Sequence, residues 1–290
     1  MLKALAVVSL LLLSWLPVAD VVANEPRSYP EDVAGWTAVT IPPKAARADR
    51  LAWLYAASYS DLEWQVKLAG DHVAATAFDA SRHEKQIAAV LPFVPKVDRY
   101  TGAQAARKVS DGWLVAFNRG EWGGALYWFD TNGTSNYRIS AHQVVDFFMV
   151  GERVHAVEGM AHMTISRGSV IAVDRVDGRW QATTAHPLPA APYAVASAAD
   201  GTAYIVLSDA LVALRSGRLE TLVEDTVWGW FYPNCVVLGP DGSLYVGMRQ
   251  FVARISLADG SLEFLVPELR ALNRLPVEQE QRIRRQAVGG

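Results

Sequence analysis

Cys235 is the only cysteine in the chain, which excludes an intramolecular disulfide and leaves stability to the apolar core. It stands in the run Cys235-Val236-Val237-Leu238, the setting of a small buried hydrophobe rather than a nucleophile. Excess charge is scarce too. The formal net charge is −3, and a balance so near neutrality argues against a nucleic-acid binder, which normally carries a basic face to meet phosphate. Nothing after residue 24 is apolar for the roughly 20 residues that a membrane-spanning helix needs. No stretch in the middle of the chain keeps a 3.6-residue apolar period, which argues against a helical protein. Catalytic motifs are missing as well: there is no Gly-x-Ser-x-Gly elbow, phosphate-binding Gly-Lys loop or His-Glu-x-x-His zinc motif. His83-Glu84 lacks the second His, and Glu158 with His162, beside Gly159, makes a weak zinc pair without a third ligand.

The chain opens Met1-Leu2-Lys3, continues through an apolar run at 4–16 and Pro17, and reaches Val21-Val22-Ala23. This is the order of a secretory leader. Cleavage after Ala23 is expected, giving a periplasmic or secreted protein that starts at Asn24 and inserts in no membrane afterwards. At the other end, 267–290 is a charged tail with Arg282, Arg284 and Arg285, expected to be partly helical or disordered because Pro276 interrupts it.

Between these ends lies a repeat. Gly70-Asp71, Asp111-Gly112, Gly151-Glu152, Asp200-Gly201 and Asp241-Gly242 are turn dipeptides spaced by 41, 40, 49 and 41 residues, each with an apolar stretch on either side. The clearest copy starts at Pro233, turns at Asp241-Gly242, resumes at 251–257, turns again at Asp259-Gly260 and ends at 262–266. Four short strands in one unit are the content of a propeller blade. The second repeat begins weakly at 105–108, and the third carries extra residues after its second strand. Ahead of the first repeat, 36–41 and 51–58 read as further strand-like runs, able to pair with the last blade or to belong to an incomplete sixth. The expected fold is all-β: a β-propeller of four-stranded blades over 24–266, five or six in number. Asn132-Gly133-Thr134 satisfies a glycosylation sequon, but Asn-Gly is more simply a hairpin turn.

The segment from Tyr232-Pro233-Asn234 through Asp241-Gly242 to Tyr245-Val246 resembles the repeat of NHL-type propellers and of the gluconolactonase-like hydrolases. The latter resemblance implies a divalent cation in the central channel, held by a Glu, the Asn of a Pro-Asn-Gly motif and an Asp from innermost strands. Asn234 falls on that Asn, with Cys235 in place of the Gly. Counting back from each turn gives Glu63, Gln104, Val144, Tyr193 and Asn234 as equivalent positions. The implied ligands for Ca, Mg or Zn are therefore Glu63, Asp146 and Asn234. Val144 and Tyr193 stand where such a ring wants oxygen, so the same positions also read as the polar lining of a wet channel with no cofactor, which is the preferred reading.

Repeat phase gathers strand starts and second-strand ends on one rim, opposite the Asp-Gly turns. Glu63, Asn118, Arg119, Glu158, Asn234 and Arg249 are expected there, with Trp122, His162, Trp228 and Trp230 on the loops above. Trp and Arg on a rim are the residue types that dominate binding hot spots. The expected function is non-catalytic binding of a protein, peptide or glycan by a monomer; the alternative is a metal-dependent hydrolase or lyase acting in the channel.

Overall fold

The computed structural model describes residues 28–79, 87, 90–97, 100 and 102–288. The expected leader at 1–23, the start at Asn24 and the pair His83-Glu84 lie outside the described residues. The first elements are β1 (Thr37–Val39), α1 (Arg47–Ser58), β2 (Trp64–Ala69) and β3 (His72–Ala77). Next come β4 (Ala105–Val109), β5 (Gly112–Asn118), β6 (Gly124–Phe129) and β7 (Asn136–Ser140), followed by β8 (Val144–Val150), β9 (Arg153–His162), β10 (Ile165–Val176) and β11 (Arg179–Leu188). The last two groups are β12 (Pro192–Ser197), β13 (Ala203–Leu207), β14 (Leu211–Arg215) and β15 (Arg218–Val223), then β16 (Cys235–Leu238), β17 (Ser243–Gly247), β18 (Val252–Ser256) and β19 (Leu262–Val266), with α2 (Val277–Val288) at the end.

These strands form five antiparallel meander sheets: β2–β3, β4–β7, β8–β11, β12–β15 and β16–β19, the last extended by β1 on the edge of β19. The first strand of every sheet lines one central cavity, and β4, β8, β12, β16 and β2 adjoin one another in that order. The arrangement is propeller-like. β1 confirms that 36–41 joins the last sheet, with Thr37 opposite Val266.

The core lies between the sheets, and β13 shows why the sequence pattern there is continuous rather than alternating. Ala203, Ile205 and Leu207 pack with Val157 and Val170 of the preceding sheet. Tyr204 and Val206 pack with Val246 and Ala253 of the following one. Side chains alternate in direction with period two, but both faces of this strand meet apolar neighbours, so every residue must be apolar.

The fourth and fifth repeats have the same turn. Gly201 donates to Ala198 O and Thr202 to Asp200 Oδ1, as Gly242 donates to Gly239 O and Ser243 to Asp241 Oδ1. Gly201 (φ 84°) and Gly242 (φ 75°) take the left-handed conformation these loops demand. The second repeat occupies the same place with a tighter turn, because Val109 pairs directly with Gly112. Asp111 there accepts from the indole N–H groups of Trp128 at 3.2 Å and Trp180 at 2.9 Å, tying the second sheet to the third. The extra residues of the third repeat extend a regular hairpin: β9 and β10 run to a tip at Met163, opposed from His162↔Ile165 onward. Asn132-Gly133 lies in a hairpin turn between β6 and β7, with Gly133 at φ 72°.

Three expectations need correction. Residues 51–58 are not a strand but most of α1, whose Leu54 and Ala57 pack on Trp228 and Phe231 while Ala52 meets Ile283 of α2. The residues at 105–108 do form a first strand, β4. Pro276 does not break the tail: it directly precedes α2, where its missing N–H was not needed, and its carbonyl accepts from Glu280 N at 3.0 Å. Arg284 of α2 bonds Asp49 of α1, joining the tail to the fold.

Candidate functional site

The central cavity has a volume of about 510 Å³ and receives a polar side chain from every sheet: Gln65, Gln104, Asn118, Asp146, Tyr193 and Asn234. None of its described lining residues is basic. Burial pushes the Tyr193 phenol up, with the nearby Tyr232 adding to the shift, so its hydroxyl stays protonated at neutral pH. Burial also pushes the Cys235 thiol up to about 11, and its Sγ accepts from Val66 N at 3.1 Å. The thiol is therefore protonated at neutral pH, whereas a nucleophile would be the thiolate.

The sequence-derived positions separate into four places. Asn118 and Asn234 line the cavity. Asn118 is also a loop clasp, donating to Gln143 O at 3.3 Å and accepting from Gly120 N at 3.0 Å. Val144, expected at the same level, is fully buried between sheets. A bulge between Val144 and Asp146 shifts the register, so Val145 and Asp146 face the cavity instead.

Glu63 belongs to the junction of the first and last sheets. It forms a bridge with Arg249, accepts from Asn234 Nδ2 at 3.0 Å and lies 3.8 Å from the Arg249 guanidinium. Arg249 also donates to Ser58 O at 2.7 Å, at the C-terminal end of α1, and sits 4.7 Å over the Tyr232 ring. Asn234 Oδ1 is buried with no hydrogen-bond partner.

A third group lies on the outer loops. His162 Nε2 meets Glu121 Oε2 at 3.0 Å, joining the β9–β10 hairpin to the short 3-10 turn Gly120–Trp122 that follows Arg119. Trp122 is 75% exposed there. Glu158 is turned to its own sheet, accepting from Ser169 Oγ at 2.6 Å. On β9, strand spacing puts it roughly 13 Å along the chain from His162, so the two make no zinc pair.

The fourth place is a lateral cleft that includes Trp230 and Arg249. Trp228 does not share it: this side chain is fully buried and donates its indole N–H to Leu207 O at 2.7 Å. Its removal from the rim corrects the sequence reading. The two indoles diverge across Gly229, where a Cβ would lie 2.5 Å from Ser208 O.

The implied cation fits this geometry poorly. Glu63 and Asn234 are in contact, but Asp146 turns Oδ1 onto Phe147 N at 2.7 Å, and the positive charge beside Glu63 is Arg249. A hard cation wants about six oxygen ligands; among the described residues no three His, Cys, Asp or Glu side chains gather around one point. No helix among them is long and apolar enough to cross a membrane.

No protein-family model and no curated protein matches the sequence. Among solved structures, the chain is similar to a streptogramin B lyase at 17% identity and TM-score 0.41, covering 59% of this chain and 56% of that one. It is similar to virginiamycin B lyase from Staphylococcus aureus at 14% identity and TM-score 0.42, covering 59% and 58%. An auxiliary nutrient binding protein from Bacteroides ovatus matches at 15% identity and TM-score 0.41, covering 59% and 44%. The chain thus spans only about half the length of these solved structures, between 44% and 58% of each, and the propeller-like architecture is read from its own five sheets.

Proposed function

We propose that this chain is an exported, five-bladed propeller that binds, without catalysis, the neutral end of a glycan or peptide in its central cavity. The supporting observation is the ring of uncharged donors and acceptors: carboxamides of Gln65, Gln104, Asn118 and Asn234 and the phenol of Tyr193, spread over four of the five sheets. Carboxamides both donate and accept, and so match hydroxyl and amide groups. A cavity of about 510 Å³ is also within the usual range for small-ligand sites. Among the described lining residues Asp146 is the one charged side chain, which disfavours anions.

The hydrolase or lyase reading rests on Glu63 and Asn234 and on the orphaned Asn234 oxygen. It has weaker support, because Arg249 already balances Glu63 and the thiol of Cys235 is pushed away from ionisation. Elemental analysis and chelation separate the two: no bound divalent metal, and an unchanged melting temperature in EDTA, are expected. Stoichiometric metal would overturn the binding reading. For the ligand, maltotriose, chitotriose and trialanine serve as probes in a thermal-shift screen. At least one should stabilise the wild type, and Gln104→Ala should weaken that effect. No shift with any of the three would refute the neutral-ligand proposal.

A further inference from the structure

Outside the central cavity lies a lateral cleft of about 560 Å³, between the end of α1 and the loop that leads into β16. Its walls include Tyr55, Tyr59, Trp230, Tyr232, Asp209 and Arg249. Tyr59, Trp230 and Tyr232 are 59%, 39% and 49% exposed, although aromatic rings of this size are normally used to exclude water. Three exposed rings converging in one concavity mark an interaction site rather than scattered surface.

The rings are held in place before any ligand arrives. Tyr55 stacks on Tyr59 with centroids 6.1 Å apart, and Trp230 meets Tyr55 edge-on at 5.3 Å. Tyr232 takes the left-handed conformation at φ 52°, unfavourable for an aromatic residue. It is fixed there by the bond from Arg249 N to Phe231 O at 2.7 Å and by the guanidinium over its ring. Strain of this kind survives where the surroundings over-determine it, often at ligand clamps.

The polar groups narrow the ligand class. Asp209 and Arg249 bring both signs of charge to one cleft, and Arg249 is already set against Glu63 and the Ser58 carbonyl. A cationic guest would meet Arg249 and an anionic one Asp209. A wholly apolar guest would leave both desolvated. A pyranose ring satisfies all three demands, since its C–H face lies flat on an aromatic ring while its hydroxyls reach a carboxylate and a guanidinium. We infer that this cleft is a saccharide-binding platform, built on Tyr59, Trp230 and Tyr232, that operates whatever the central cavity holds.

The test uses the mature chain with cellohexaose and chitohexaose, followed by tryptophan fluorescence and calorimetry, and hexalysine as a cationic control. At least one hexasaccharide should bind, with affinity reduced at least tenfold by Trp230→Ala and by Tyr59→Ala. Tyr59→Ala removes an exposed ring and keeps the test informative if Trp230→Ala disturbs the loop. Ala161→Trp, which fills the central mouth, should leave this binding unchanged. The inference is overturned if neither sugar binds at millimolar concentration, if binding ignores both aromatic substitutions, or if hexalysine alone depends on them. Loss through Ala161→Trp alone would assign the sugar to the central cavity and also overturn it.

Discussion

Gly247→Ala probes the junction where the last sheet meets the first. Gly247 ends β17, and a Cβ built there would stand 2.4 Å from Trp64 O and 2.7 Å from Cys235 Sγ. Trp64 O is backbone and cannot swing aside, and Cys235 Sγ is held by the Val66 N–H, so the sheets themselves must separate. The bonds at stake are Trp64 N to Met248 O at 3.1 Å, Gln250 N to Leu62 O at 2.7 Å and Val66 N to Cys235 Sγ at 3.1 Å. Overpacking a filled site costs about 1–3 kcal/mol, and each weakened bond adds up to about 1 kcal/mol, so a loss of roughly 2–4 kcal/mol is expected. For a domain of this size that lowers Tm by about 4–16 °C, readable by circular dichroism on the purified protein. Gly242→Ala is the control. Its Cβ meets nothing within 4 Å, so only the left-handed backbone opposes it, at about 1–2 kcal/mol. If Gly247→Ala melts with the wild type, or above Gly242→Ala, the first and last sheets do not adjoin as described.

Asp111→Ala should cost about 2 kcal/mol by urea denaturation, because it strands two indole N–H donors and removes the partner of Arg175 at 3.2 Å; an unchanged midpoint would mean the second and third sheets do not depend on this clasp. Burial, partly offset by a bond to Arg153 O, holds the His155 imidazole below its ordinary 6.5. The unfolded chain therefore gains a proton first as pH falls through 6.5, and the contribution of His155 is full above that value and declines below it. Wild type should lose more Tm than His155→Phe between about pH 7.5 and about pH 5.5; equal losses would show that His155 is not the group responsible.

The repeat was legible because its turns carry their own chemistry. Asp-Gly at 200–201 and 241–242 specifies a side-chain cap and a positive φ, and both loops keep that geometry. What escaped the sequence was local phase. One bulge at Val144/Asp146 moved the cavity-facing position of the third sheet, and no composition signal announces a bulge. In Trp228-Gly229-Trp230 a short 3-10 turn sends neighbouring indoles to opposite fates. α1 was readable in principle, since Ala52, Ala56 and Ala57 favour helix, but its aromatic residues imitate a strand. That misreading hid Tyr55 and Tyr59, one helical turn apart, and with them half of the lateral cleft.

Blocking the central cavity tests the account most directly. Ala161 is exposed at the end of β9 and lines the cavity, so Ala161→Trp fills the mouth without overpacking the core. In calorimetry with whichever of maltotriose, chitotriose or trialanine stabilises the wild type, the variant should bind at least tenfold more weakly while its melting temperature without ligand stays the same. Equal affinity in an intact Ala161→Trp protein would place the ligand elsewhere and contradict the assignment of function to the cavity.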